Sequence, residues 1–360
     1  MKRKRLFNLD LIRTFGLLFI IFNHALNTVW DATNYSYWLD TTIIEKVFIL
    51  IGYSICRLGV PLFLMITGSL ILNKKFETKE DIIHFYKSNL FNLVIVIMIW
   101  NIIYYIFNMF YYESSFSLKD LLYVLLFMKT SPMPRMWYMS MIVGMYLALP
   151  YISVVVKKFN FKSMLVPLIT IITFFFLIPN LKTFLTFLEF KGTNIKTILD
   201  LNFFGGTYGI YIILGYYVYN QKIFENIKTK YLVMGTLFWL AISCVFQMIG
   251  YMNHSGYIIY YNFIGILVSG TLLFEILRRN EKCLNKYLEN KITEISKFAL
   301  GIYFVHRPLL FIGKKYLILN FNPCINVMIY YIVAIIISYF IVLTFSKIKI
   351  FKKYLFLVKD

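Results

Sequence analysis

Charged residues are scarce in this chain, and acidic residues are the scarcest. Only 15% of the 360 residues are charged, and 17 Asp and Glu stand against 37 Lys and Arg. Hydrophobic residues make up 60% of the sequence, and the mean hydropathy is +0.70. A water-soluble globule of this length cannot bury so much apolar surface. The composition therefore excludes an ordinary soluble domain and predicts an all-α, polytopic integral membrane protein.

Cysteine and histidine are also rare. The four cysteines have no Cys-x-x-Cys spacing, so the sequence predicts neither a metal site nor a disulfide framework. His84 and His254 lie between apolar runs and are expected at the surface, whereas His24 and His306 lie within such runs. The net charge of +20 comes mainly from short connections between apolar runs. It indicates membrane topology, not a nucleic-acid partner.

Apolar runs long enough to cross about 30 Å of hydrocarbon recur along the chain. They lie near 11–30, 44–72, 88–112, 136–156, 163–180, 203–219, 231–252, 257–277, 297–313 and 325–346. About ten crossings place both termini on one side, and an excess of Lys and Arg in alternate connections predicts that this side is cytoplasmic. We expect one transmembrane domain over residues 1–360 and no appended soluble domain. Leu121–Phe127 is too short to span and is expected to lie at the outer interface or to re-enter.

Few ionisable residues fall inside the apolar runs. A charge at the bilayer centre costs at least about 2.5 kcal/mol on insertion scales, so such residues are functional candidates. They are Asp10, Arg13, His24, Arg57, His306 and Arg307.

The first predicted helix carries three of these candidates on one stripe. His24 follows Arg13 by eleven residues, which returns it to within about 20° of the same face and about 16 Å further along the axis. Asp10 precedes Arg13 by three residues and can pair with it. Imidazole titrates near neutrality and can take a proton from a hydroxyl group. The spacing allows either a catalytic His24 or a histidine that hydrogen-bonds between helices, and Arg13 alone is typical of a snorkelling boundary residue.

Two other predicted helices contain candidates for a supporting role. Pro61 is expected to kink the second helix beside small residues, but packing does not explain Arg57. His306 is compatible with a structural hydrogen bond or with chemistry, and Arg307-Pro308 is expected to lie close to a helix break.

Four sequence blocks resemble those of the membrane-bound acyltransferase-3 family, in the family's order and over essentially the whole chain. They are Asn8–Arg13 with His24; Gly59–Phe63 with Thr67-Gly68; Trp137-Tyr138 with Tyr146-Leu147 and Pro150; and Gly301–His306. The resemblance implies transfer of an acyl group, usually acetyl, from cytoplasmic acyl-CoA to a hydroxyl of a cell-surface polysaccharide or its lipid-linked precursor. Acyl-CoA would be a substrate with no bound cofactor, and the location would be the bacterial plasma membrane.

The resemblance also implies roles for individual residues. His24 would be the catalytic histidine, and Arg13 would help to bind the donor or to order the first helix. The Arg-x-x-Arg element that some members use for the donor is absent here. Chemically reasonable substitutes for binding the CoA phosphates are Lys74, Lys75, Arg278 and Arg279.

Partners and an alternative function follow from the same features. Many family members append an external hydrolase-like domain, and none is recognised here. The chain is therefore expected to acylate its acceptor directly or to serve a separate extracytoplasmic transferase or polysaccharide-synthesis partner. A transporter or flippase for a glycan or lipid-linked sugar would also contain intramembrane charges and kinked helices. The sequence has no inverted repeat and no chain of acidic residues for ion coupling, which favours the enzyme.

Overall fold

The computed structural model describes residues 6–30, 36–188, 202, 205–254, 258–281 and 285–358. All regular structure in these ranges is helical, with 79% helix and no strand, which confirms the predicted all-α class. The basic cluster at residues 1–5, the terminal Lys359 and Cys283 lie outside the described residues.

The helices follow one another along the chain as α1 Phe7–Val29, α2 Ser36–Asp40, α3 Ile43–Cys56, α4 Gly59–Ile71, α5 Lys79–Phe85, α6 Phe91–Tyr112, α7 Leu118–Leu125, α8 Trp137–Lys158, α9 Leu165–Ile172, α10 Ile178–Phe187, α11 Gly206–Asn220, α12 Thr229–Met252, α13 Ile264–Arg278, α14 Lys286–Tyr316, α15 Pro323–Phe345 and α16 Lys349–Tyr354. Two π-helical turns, Tyr86–Leu90 and Thr173–Leu177, join α5 to α6 and α9 to α10 without interruption.

Eight helical stretches in the described chain are long and apolar enough to cross a membrane. They are Phe7–Val29, Ile43–Ile71, Lys79–Tyr112, Trp137–Lys158, Leu165–Phe187, Thr229–Met252, Lys286–Tyr316 and Pro323–Phe345. The protein is therefore a multi-pass membrane protein. The spans expected at 203–219 and 257–277 correspond to α11 and α13, which have 15 residues each. Such a helix is about 22 Å long, less than a full hydrocarbon crossing.

Residues 258–263, which we expected to begin a spanning helix, form an irregular segment before α13. Side chains replace the missing helical hydrogen bonds of this segment. Gln247 accepts from the Ile259 N–H at 2.7 Å, and Asn180 accepts from the Ile264 N–H at 2.8 Å. The Tyr211 hydroxyl donates to the Tyr261 carbonyl at 2.6 Å. Irregular backbone is tolerated among apolar helices where protein groups satisfy it in this way.

The two predicted helix distortions differ from those observed. The second predicted span breaks at Arg57-Leu58, between α3 and α4, and Pro61 lies in the first turn of α4. Proline costs little there because the first N–H groups of a helix have no partner within it. The break expected at Arg307-Pro308 is wrong, because α14 continues through Pro308 to Tyr316. Neighbouring turns can hold a long helix together when one hydrogen bond is lost.

Three smaller predictions can be compared with the structure. The short apolar piece Leu121–Phe127 lies largely in α7, whose eight residues are too few to span. His254 is exposed as expected. His84 is also exposed, although it lies in the last turn of α5 and not in a loop.

The chain forms two compact units. The first comprises Met1–Lys74, Ile152–Ser296 and Asn320–Met328, and the second comprises Lys75–Tyr151, Lys297–Leu319 and Ile329–Asp360. In the first unit α1 packs against α3, α4 and α13, and α4 packs against α11. In the second unit the Tyr104 hydroxyl of α6 donates to the Phe304 carbonyl of α14 at 2.8 Å.

The contact between α4 and α11 depends on glycine. A Cβ atom at Gly68 would overlap the Ile212 carbonyl oxygen, and one at Gly215 would overlap the backbone of Met65. The two helix backbones therefore touch directly, as is usual where small residues line a helix interface in a membrane.

We predict that Gly68→Ala lowers the stability of the protein by at least about 1–3 kcal/mol, because the helix backbone must move to admit a methyl group. Gly144→Ala in α8 is the matched control, since a Cβ there meets open space and alanine favours a helix by about 1 kcal/mol. Thermal unfolding in detergent measures both effects. Equal melting temperatures for Gly68→Ala and the wild type would contradict the close contact.

Candidate active site

Helix α1 buries an unusual number of polar side chains for an apolar helix. Six of them are less than 9% exposed: Asn8, Asp10, Thr14, Asn23, His24 and Thr28. Buried polar groups are costly unless they are hydrogen-bonded, so this helix must face polar partners within the protein.

The N-terminal part of α1 contains a closed triangle of polar groups. Arg13 Nη1 lies 3.4 Å from Asp10 Oδ1 and donates to Ser296 Oγ at 3.0 Å. The Ser296 hydroxyl in turn donates to Asp10 Oδ1 at 2.6 Å. The Asp10 side chain is 3% exposed, whereas that of Arg13 is 27% exposed. The predicted Asp10–Arg13 pair is confirmed, and the Arg13 side chain remains partly exposed.

Ser296 is a member of this cluster that the sequence did not indicate. It lies in α14, 286 residues from Asp10, and no spacing rule connects the two positions. The Thr14 hydroxyl also donates to the Ile292 carbonyl of α14 at 3.2 Å. Three side chains of α1, those of Asp10, Arg13 and Thr14, are thus hydrogen-bonded to α14.

His24 lies deep in the first unit and is 5% exposed. The close contacts of α1 with α3 and α4 show where His24 lies along the axes of these helices. A Cβ at Gly59 would lie 2.8 Å from Ile20 Cγ1, and one at Gly52 would lie 3.0 Å from Leu26 Cδ1. The chain direction of α1 is therefore opposite to that of α3 and α4. His24 and the break at Arg57-Leu58 fall between these two contacts, at about the same depth.

Arg57 is buried at this break, with 7% exposure. Its guanidinium carbon lies 5.2 Å from the ring centre of Tyr260 and 5.8 Å from that of Tyr261. Its Nε atom is buried and has no hydrogen-bond partner among the described residues. The described chain also provides no ion pair for Arg57. Cation–π contacts and a hydrogen bond with the neutral Tyr261 side chain compensate only part of the desolvation of a guanidinium, so Arg57 retains capacity to stabilise a negative oxygen.

Tyr260 and Tyr261 also escaped the sequence analysis. They belong to the irregular segment 258–263, which we had assigned to a spanning helix. A Tyr-Tyr pair in an apolar run carries no signal of its own, because tyrosine is common in this chain, with 29 occurrences.

His306 belongs to the second unit, whereas Asp10, Arg13, His24 and Arg57 all belong to the first. Its side chain is fully buried, and Nδ1 lies 3.2 Å from the Ile302 carbonyl oxygen one turn earlier. The Tyr303 ring lies 5.7 Å from the imidazole. A bond to its own helix fits a structural role, and the supporting role of His306 in chemistry stays a prediction.

The arginines proposed for CoA are both bound to one carboxylate. Glu275 accepts from Arg278 Nε at 2.6 Å and from Arg278 Nη2 at 2.8 Å. It also accepts from Arg279 Nε at 2.7 Å. Arg279 Nη2 donates to the Phe224 carbonyl at 2.6 Å. A CoA phosphate would have to compete with Glu275, so donor binding by these two arginines stays a prediction.

The role of the two lysines proposed for CoA also stays a prediction. Lys75 is highly exposed, and its Nζ lies 3.8 Å from Glu77. The Lys74 carbonyl accepts from the Ser153 hydroxyl at 3.2 Å and from the Lys157 ammonium. No group of three or more His, Cys, Asp or Glu side chains that could hold a metal ion occurs in the described ranges.

Comparison with protein families gives one match of high coverage. The model of an acyltransferase domain, Acyl_transf_3, matches residues 6–346. This range includes Asp10, Arg13, His24, Arg57 and Ser296. Comparison with curated proteins and with solved structures gives no match.

We predict that Glu275→Gln destabilises the protein by about 3–5 kcal/mol, because it leaves the Arg278 and Arg279 charges without their carboxylate. Glu289→Gln is the control, since Glu289 meets only the exposed Lys286 at 3.0 Å and such pairs contribute about 0–1 kcal/mol. Unfolding in detergent reports both changes. Similar losses of stability for the two variants would show that Glu275 does not compensate the charges of Arg278 and Arg279.

Proposed function

The chain belongs to the acyltransferase-3 family, and we propose that it transfers an acyl group, most simply acetyl, from cytoplasmic acyl-CoA to a hydroxyl of a cell-surface polysaccharide or its lipid-linked precursor. The proposed location is the bacterial plasma membrane. The observation that carries the proposal is the arrangement on α1. A partly exposed cation, Arg13, is oriented by Asp10 and Ser296 and lies about 16 Å along the helix from the buried imidazole of His24.

His24 is the proposed base. Its imidazole removes the proton from the acceptor hydroxyl while the hydroxyl oxygen attacks the thioester carbonyl carbon. The carbon–sulfur bond then breaks, and the CoA thiolate recovers the proton. Arg57, at about the same depth, would stabilise the negative oxygen of the tetrahedral intermediate. In a second route the imidazole nitrogen takes the acyl group first and passes it to the hydroxyl.

Arg13 is proposed to bind or orient the donor at the other end of the stripe. Asp10 and Ser296 act on it as positioning residues, because both touch its guanidinium and not the reacting atoms. Lys74, Lys75, Arg278 and Arg279 are the proposed further contacts of the CoA phosphates. The acceptor glycan, or a separate extracytoplasmic transferase that receives the group, would approach His24 from the opposite side. Family membership favours this chemistry over transport or flipping of a glycan.

We predict that Ser296→Ala raises the KM for acetyl-CoA several-fold and changes kcat less, because the guanidinium of Arg13 loses a group that orients it. Ser296→Thr keeps a hydroxyl and is expected to restore most of the affinity. Steady-state kinetics of the purified variants measures KM and kcat separately. A fall in kcat at unchanged KM would contradict the positioning role.

We predict that His24→Ala lowers acyl transfer by at least about 100-fold, because the step loses its base. The protein should remain in the membrane at the wild-type level. His254→Ala removes an exposed histidine and is expected to leave activity unchanged. The assay follows CoA release and the acyl content of envelope glycans by mass spectrometry. Retained transfer by His24→Ala would exclude His24 from the mechanism.

The two routes differ in the enzyme species that accumulates without acceptor. Radiolabelled acetyl-CoA and a rapid quench at neutral to mildly alkaline pH would trap an acyl-histidine on the wild type and not on His24→Ala. Absence of label at full activity would leave direct transfer as the route.

A further inference from the structure

Arg307 is a buried cation in the second unit, and the described chain compensates little of its charge. The residue is 5% exposed. Its Nε donates to the Pro134 carbonyl at 3.3 Å, and its guanidinium carbon lies 4.8 Å from the centre of the Phe311 ring. The described residues provide Arg307 with no other hydrogen bond and with no ion pair. Four N–H bonds of the guanidinium therefore remain for another acceptor.

A second guanidinium lies beside this one. Arg135 follows Pro134, the residue that Arg307 contacts, and it is the charged side chain that acts on Arg307 most strongly. The other groups that act on Arg307 are tyrosine hydroxyls, and no described Asp or Glu is among them. Arg135 has a φ angle of 68°, a conformation that costs a non-glycine residue about 1 kcal/mol or more. The fold thus holds two like charges together at an energetic cost.

Like charges that lie close together in a partly buried site repel one another unless an anion lies between them. We propose that Arg307 and Arg135 bind the phosphate group of a membrane amphiphile. A carboxylate matches the planar fork of one guanidinium, whereas a phosphate presents enough oxygens to bridge two. This inference does not depend on the proposed acyl transfer.

The surroundings of Arg307 suit the apolar part of such a ligand. Phe311 lies one turn after Arg307, with the Tyr111 ring centre 5.6 Å and the Tyr112 ring centre 6.4 Å from its own. Aromatic rings of this kind present apolar faces with a polar edge, as is typical beside a lipid headgroup. Arg307 lies nine residues before the end of α14, about 14 Å from that end. The predicted orientation of α14 places it in the outer half of the membrane.

Two sources could supply this phosphate, namely a phospholipid headgroup or an isoprenoid carrier that bears a sugar. The binding experiment uses the full-length protein in a neutral detergent with four probes: short-chain phosphatidylglycerol, farnesyl phosphate, inorganic phosphate and farnesol. We expect the wild type to bind a phosphorylated probe and not farnesol. Preference for phosphatidylglycerol identifies the headgroup, preference for farnesyl phosphate identifies the carrier, and binding of inorganic phosphate alone would overturn the requirement for an amphiphile.

The variants test the two arginines directly. Arg307→Gln is expected to weaken phosphate-probe binding by about 10-fold or more, and Arg307→Lys by less, because lysine keeps the charge and loses the fork. Lys315→Gln is the matched control, because it removes an exposed cation from the same helix as Arg307. The Lys315 Nζ atom lies 4.9 Å from the ring centre of Tyr111.

Arg135→Gln provides a second variant on a half-buried turn if Arg307→Gln does not fold. It is also expected to weaken the phosphate probes. Wild-type affinity in Arg135→Gln and Arg307→Lys, or equal binding of farnesol and farnesyl phosphate, would overturn the proposal.

Discussion

A charge among apolar helices costs several kcal/mol unless another group of the protein compensates it. In this protein the degree of compensation differs from one buried arginine to another. Glu275 neutralises Arg278 and Arg279 with three short hydrogen bonds. Asp10 forms an ion pair with Arg13, and the Ser296 hydroxyl is hydrogen-bonded to both side chains. These charges are compensated within the chain, and Ser296 also connects α1 to α14.

Arg57 and Arg307 are compensated far less. Each lies against aromatic rings, and each lacks a carboxylate partner in the part of the chain that is described. A fold that only needed stability would replace such residues with apolar ones at little cost. This incomplete compensation is the basis of the two roles proposed above, stabilisation of a reaction intermediate by Arg57 and binding of a phosphate by Arg307.

The surroundings of Arg57 depend on irregular structure as much as on helices. The segment 258–263 brings Tyr260 and Tyr261 to Arg57, and Gln247, Asn180 and Tyr211 supply the hydrogen bonds that hold this segment. Hydropathy treats such a segment as part of a spanning helix, because all its residues except Asn262 are apolar or aromatic. The pattern therefore overestimated the length of the eighth span. It also placed a break at Pro308, where packing in α14 tolerates the proline.

The sequence alone was sufficient for features that depend on local chemistry and regular spacing. Apolar runs of sufficient length identify the long helices, since hydrocarbon admits backbone only when its hydrogen bonds are satisfied within the segment. The three-residue spacing of Asp10 and Arg13 predicted their pair, because neighbours on a helix face follow from its pitch. Tertiary structure decided the rest. Ser296 lies 286 residues from Asp10, and Tyr260 lies about two hundred residues from Arg57, yet each pair is in contact. Contacts of that kind depend on how helices pack in space, and no spacing along the chain encodes them.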